Sequence, residues 1–282
     1  MKNQFENQID KEMLLDEAFE KATKKEDPIE MKDFSAVYKD VEGDLAYVET
    51  MEAKFRDSQK VESETDAMFR KMAKVFEVII SEQIELSNWL DESALTSQAS
   101  KYDDIKNGVD TIVEFDEENG PSHLALAIDV ASGHELNRKF ERIKKEISNG
   151  VLTEIKYFPP EGIKHIPRVV IGANRNTISD LIDKWVSKDS KDIEEAREAR
   201  KGLEGHIMQV IIIEEIISQL EAFIEFAESI GRPEIVKIYQ KTLSILNKIK
   251  AGKNISEDTL FESREDKIYI EINNVLQYFK KQ

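Results

Sequence analysis

Asp110 and Asp129 each lie in an apolar run that reads as a β-strand, 109–115 and 123–130. A carboxylate in such a run costs stability unless something charged binds it. Between the runs, 116–122 contains Asn119-Gly120-Pro121, so the simplest local structure is an antiparallel hairpin. If Asp116 faces His123, Asp110 faces Asp129. Residues directly opposed in such a pair lie about 4.5–5.5 Å apart, and two like charges there repel unless a cation sits between them. Two carboxylates come to share a metal ion in this way, and the middle of the chain has to build a sheet to bring them there.

The rest of the pattern surrounds that hairpin. A helix is expected over 64–89, with Met68, Met72, Val75, Val78, Ile79 and Leu86 at helical spacing. The segment 91–106 reads as a connection. Strands follow at 109–116 and 123–131, a helix at 134–148 closed by Gly150, strands at 151–158 and 167–173, and a helix at 176–187 capped around Asn174. Pro159-Pro160 stops one strand and Pro167 opens the next. Residues 1–64 form an acidic arm with weak helical periodicity at 13–23 and 45–58, broken by Pro28. Residues 189–282 read as helices at 207–230, 233–249 and 265–280. Three segments result: 1–64, 65–188 and 189–282.

Helix, hairpin with two acids, helix, strand: in this order the chain resembles the PD-(D/E)XK superfamily, the restriction-endonuclease-like nucleases. The resemblance covers about residues 65–188. It implies an α+β fold with an α/β-like core of αβββαβ type, carried between the helical arm and a C-terminal helical domain. It implies Asp110 and Asp129 as metal ligands, the Val130 carbonyl as backbone ligand, and a further acid from the first core helix, Glu85 before Glu82. Where the motif lysine should stand the chain has Ala131. Some members project the lysine from the next helix instead, and of Arg138, Lys139, Arg142, Lys144 and Lys145 the best placed is Lys139. The implied cofactor is Mg²⁺ or Mn²⁺, one or two ions, and the implied reaction is hydrolysis of phosphodiesters in DNA or RNA. That chemistry needs a positioned water and charge stabilisation on phosphoryl oxygens, which a divalent ion on hard oxygen ligands supplies. Mg²⁺ favours one or two carboxylates plus waters and phosphate, and a nearby lysine offsets developing charge.

Composition narrows the setting. There is no cysteine, which removes disulfides, thiolate metal sites and cysteine nucleophiles. Net charge is −17, which argues against broad nonspecific binding to nucleic acid. The block 101–190 is nearly neutral, with 13 Lys plus Arg against 16 Asp plus Glu, so binding local to the core stays compatible with the acidic whole. No run reaches the roughly 20 apolar residues of a spanning helix, and the reading is a cytoplasmic protein without a membrane partner. Plain structural readings stand beside these. Asp110 could cap a turn after Asn107-Gly108, Glu114 could be an exposed strand end, and 138–145 could be a solvated helix face. The apolar stripe from Ile213 to Phe226 could form a helical core or a homo-oligomer surface. A non-catalytic nuclease-fold or helical scaffold for binding or assembly is the alternative function.

Overall fold

The computed structural model describes the backbone of residues 2–117, 120–129 and 134–280; the side chains of 2–10, 129, 134, 135 and 280 lie outside that description. The chain is mixed α+β: a small mixed sheet carried among helices that extend to both ends. Helix α1 (Lys2–Lys24) leads through a 3₁₀ turn (Met31–Phe34) to α2 (Val41–Gln59) and α3 (Glu64–Leu86). The Ser63 side chain accepts from the Asp66 N–H at 3.1 Å and starts α3, as serine does at the end of a loop.

Four strands make the main sheet: β1 (Leu95–Gln98), β2 (Thr111–Phe115), β3 (Ser122–Asp129) and a strand after the next helix, β6 (Arg168–Gly172). Strands β1, β2 and β3 form an antiparallel meander, and β6 lies parallel to β3. The crossover carries α4 (His134–Asn149) and a separate two-stranded sheet, β4 (Thr153–Ile155) with β5 (Ile163–Ile166). The strand expected at 151–158 is thus a short piece of that side sheet. The strand expected at 167–173 enters the main sheet as β6. Within 91–106, expected as a connection, Leu95–Gln98 forms the sheet's first strand.

The hairpin register differs from the expected one by two residues. Glu114, not Asp116, faces His123, and Thr111 faces Leu126. Pro121 has no N–H to give a ladder, and the acidic Asp116-Glu117 pair favours water, so the loop takes 116–121 and pairing stops at Phe115 and Ser122. Alternation then sorts the side chains. Val113, Phe115, Leu124 and Leu126 join the main core, while Ile112 and Ala125 join a smaller core with Ile155 and Ile166 of the side sheet.

Beyond β6 come α5 (Arg175–Ser187), α6 (Ile193–Glu204), α7 (Met208–Ser229), α8 (Pro233–Gly252), α9 (Glu257–Arg264) and α10 (Lys267–Lys280). Asn174 caps α5 through the Asn176 and Thr177 N–H groups, and Gly150 follows α4 at φ +73°, both as the sequence suggests. One hydrophobic cluster runs from Leu15 and Ala18 of α1, through α3 and the sheet, to Phe279 of α10. Helix α7 is buried nearly all round because it fills the edge of the sheet. Its Gln219 accepts from the Val170 N–H at 2.8 Å and donates to the Val170 carbonyl, while Glu215 accepts from the Gly172 N–H at 3.0 Å. Burial, opposed only in part by the Gly172 N–H, holds the Glu215 carboxyl well above its ordinary pKa. Among the described residues no helix is long and apolar enough to cross a membrane.

Replacing Gln219 by Leu keeps the volume and strands the Val170 N–H and C=O in a buried setting. The expected loss is about 2–4 kcal/mol, read as a lower urea midpoint at unchanged m-value. A midpoint equal to the parent's would show that α7 does not close the β6 edge.

Candidate active site

The turn between β1 and β2 is built on one buried carboxylate. Asp103 accepts hydrogen bonds from Ser100 Oγ (2.8 Å), Asn107 Nδ2 (2.7 Å), and the backbone N–H groups of Lys156 (2.8 Å) and Tyr157 (3.0 Å). These partners come from both ends of the turn and from the side sheet's loop, so Asp103 fixes a π-helical turn, Asp103–Asn107, against the core. Gly108 ends it at φ +65°, where a side chain would be strained. The next residue but one is Asp110. Its N–H donates to Leu126 O at 3.0 Å and its Oδ2 accepts from Ile128 N–H at 2.7 Å. A carboxylate therefore takes the place of a ladder acceptor just where β2 begins.

Three acids are electrostatically coupled here. Glu77 comes from α3, Asp104 from the π turn and Asp110 from the start of β2. Burial, then the charge of Asp110, push the Glu77 carboxyl up to about 8. The same two causes in the same order push Asp104 up to about 7. Basic groups answer part of this charge. Lys74 lies 3.2 Å from Glu77 and also pairs with Glu26, which Lys101 approaches at 3.5 Å. Burial works to raise Glu26, but these two ammonium groups outweigh it and hold it below its ordinary value. From α4, Lys139 Nζ donates to the Ile128 carbonyl at 2.7 Å, at the end of β3.

The sequence-selected residues fall as follows. Asp110 and Lys139 come to the two sides of Ile128, one on its N–H and the other on its C=O. The Asp129 backbone lies two positions past Ala127, the residue opposite Asp110 in the ladder, and pairs with Gly172; its side chain, and Val130 and Ala131 altogether, lie outside the described residues. Glu85 accepts from the Thr96 N–H (2.6 Å) and hydroxyl (2.7 Å), and so holds β1 to α3. Glu82 is engaged by Lys25, Lys188 and Trp185. Glu114 meets His123 at 2.8 Å near the far end of the hairpin. Arg142 donates to the Lys106 carbonyl at 2.9 Å, and Lys144 to the Tyr278 carbonyl at 3.1 Å.

Sequence reasoning passed over Glu77 and Asp104. The signal for Glu77 was present, since it stands in Val75-Phe76-Glu77-Val78-Ile79, an acid inside an apolar run just like Asp110. Asp104 carried no such sign, because the π turn that aims it follows from the burial of its neighbour. Among the described residues no three acid or histidine side chains form a ready metal cage. Mg²⁺ does not require one, being held by one or two carboxylates with waters and substrate phosphate. Comparisons with known proteins gave no match to the chain, whether with family models, curated proteins or solved structures.

The raised carboxyls have a consequence for stability. In the folded chain Glu77 and Asp104 keep protons that the unfolded chain releases, so their contribution falls as pH rises from about 4.5 to about 8 and is level above. Glu77→Gln removes part of that penalty. The variant is expected to melt a few degrees above the parent at pH 8.5, with the gap narrowing toward pH 5. Equal melting temperatures at both values would mean Glu77 is not under electrostatic strain.

Proposed function

We propose that the chain is a metal-dependent phosphodiesterase with a restriction-endonuclease-like core, hydrolysing DNA or RNA. What supports this reading is the electrostatic coupling of Glu77 and Asp104 to Asp110, acids from three separate elements, together with the Asp110 carboxylate on the Ile128 N–H and the Lys139 amine on the Ile128 carbonyl. The order α3, β1, β2, β3, α4, β6, with β6 parallel to β3, supports it as well. A protein gains nothing in stability by gathering carboxylates whose charges raise one another. A site that takes up a divalent cation does.

In this proposal Asp110 and Glu77 hold the ion, with Asp129 completing the set from the end of β3. Bound there, a Mg²⁺ or Mn²⁺ ion supplies a Lewis acid for the phosphoryl oxygens and lowers the pKa of a bound water. Asp110 is held in place by the Ile128 N–H, which fixes the bearing of its carboxylate. Asp104, pushed towards its protonated form, is the member that can give up or accept a proton near neutral pH. Lys139 comes from α4 to the Ile128 carbonyl near the end of β3, in a chain that carries Ala131 where the resemblance expects the lysine. Its ammonium group offsets charge on the phosphoryl group.

Cleavage of end-labelled single- and double-stranded DNA and RNA, with Mg²⁺ or Mn²⁺ and with EDTA, tests the reading. Cleavage should need the ion. Asp110→Asn should lower the rate by about 10²-fold or more, and Lys139→Met by a similar factor with ion binding by calorimetry retained. Glu77→Gln should weaken ion binding more than Glu85→Gln. A folded native chain that binds neither ion and cuts none of the four substrates overturns the proposal. The remaining reading is then a non-catalytic scaffold for binding or assembly, which Ala131 in the lysine position and the acidic flanks favour.

A further inference from the structure

The turn that carries Asp104 also carries two residues for which that reading has no use, Tyr102 and Lys106. Tyr102 and Tyr47 of α2 meet edge to face, with ring centroids 6.0 Å apart and planes at 67°. The Lys106 amine lies 5.3 Å from the Tyr47 ring centre. Both rings are part-exposed and Lys106 is exposed. Lys106 is also where α4 reaches the turn, through Arg142, whose side chain keeps 41% of its surface open. We propose that Tyr47, Tyr102 and Lys106 form a stacking platform for an unpaired base of single-stranded nucleic acid, beside the acid cluster and delivering its strand to it. The inference rests on the phosphodiesterase reading for the fate of the strand, though not for its binding.

The charge around the platform permits it, despite the net charge of the chain. Asp103 is buried beneath the turn and spent on four partners. Asp44, the acid of α2 that points inward, is taken by Lys156 and by the Tyr157 hydroxyl at 2.6 Å. On the Tyr47 face of α2 the neighbours within one turn are Gly43, the buried Asp44, Thr50 and Met51, with Lys54 and the exposed Asp40 two turns away on either side. Lys54, Lys106 and Arg142 are among the cations that meet solvent here, with Glu146 near Arg142 at 3.7 Å. An aromatic face offered with a mobile cation is the usual way to hold bases without reading their edges. Duplex bases already stack on one another, so the platform takes only an unpaired one.

Binding is best measured apart from cleavage, in the Asp110→Asn chain with EDTA, by fluorescence anisotropy of labelled dT12, rU12 and a blunt hairpin duplex. The single strands should bind more tightly than the duplex, and the dT12 to rU12 ratio reports whether the 2′-hydroxyl is felt. Tyr47→Ala should weaken both single strands roughly tenfold or more. Tyr47→Phe should restore them, which separates a lost ring from a misfolded α2. Lys106→Ala should reduce the slope of log affinity against log salt by about 1. Equal affinity for duplex and single strand, no binding to either, or a Tyr47→Ala chain that binds like its parent overturns the platform. If the native chain binds dT12 through Tyr47 but cuts nothing with Mg²⁺ or Mn²⁺, the platform stands and the phosphodiesterase reading falls.

Discussion

Everything in this molecule depends on how the two edges of a four-stranded sheet are closed. A strand edge left open is a row of unpaired N–H and C=O groups, a template for aggregation. At β6 the closure is made by side chains, with Gln219 taking both backbone groups of Val170 and Glu215 taking the Gly172 N–H. At β1 the means are mixed. Glu85 accepts the Thr96 N–H, the Ile29 N–H donates to the Gln98 carbonyl, and the Asp27 N–H donates to the Gln98 side chain. The N-terminal arm and α7 are therefore not appendages to a sheet that stands alone. Without them its outer strands have no partners, which is why the hydrophobic core runs continuously from α1 to α10.

With the edges closed, the interior of the sheet can carry strain. Asp110 sits where β2 starts and takes a ladder donor with its side chain. Its charge raises Glu77 and Asp104, which the fold nonetheless keeps close by. Two neighbouring acids show the contrast. Asp103 is more deeply buried than Asp104, yet four hydrogen bonds satisfy it, so it works as a structural hub. One residue on, burial and then the charge of Asp110 raise the Asp104 carboxyl against the pull of Lys101, Lys74 and Lys139. Carboxylates that stabilise a fold are met by N–H groups and cations, and acids raised by burial and a neighbouring like charge are candidates for a functional site.

How much of this was legible in the sequence follows from which forces are local. The helices α3, α4 and α5 were legible because amphipathic spacing, Ser63, Asn174 and Gly150 act within a few residues. Strands β2, β3 and β6 were legible as buried apolar runs. Strand β1 was not, because Leu95–Gln98 is half-exposed and polar, and becomes a strand only through Glu85 and the arm. The hairpin register was missed by two residues because the loop length is decided by Pro121 and the acids before it, not by the pairing of charges. Asp110 stood out as an acid in an apolar run. Glu77 satisfied the same rule, but a helix full of glutamates hid it. Asp104 depends on a turn held by contacts 53 and 54 residues away in sequence, at Lys156 and Tyr157, and no local pattern encodes that.

The position of Lys139 shows how a helix can bring an amine to the end of a strand. Helix α4 follows β3 in the chain and packs against β6, the strand beside it. Lys139 is one residue short of Phe140, which is buried in the main core and fixes the rotation of the helix there. With that face turned inward, the lysine beside it has four methylenes to span the distance to Ile128, and its amine is found on that carbonyl. The place of the amine is thus set by the packing of Phe140, while its origin on the chain is free to move. A charge required at one point in space can come from whichever element the core holds nearest.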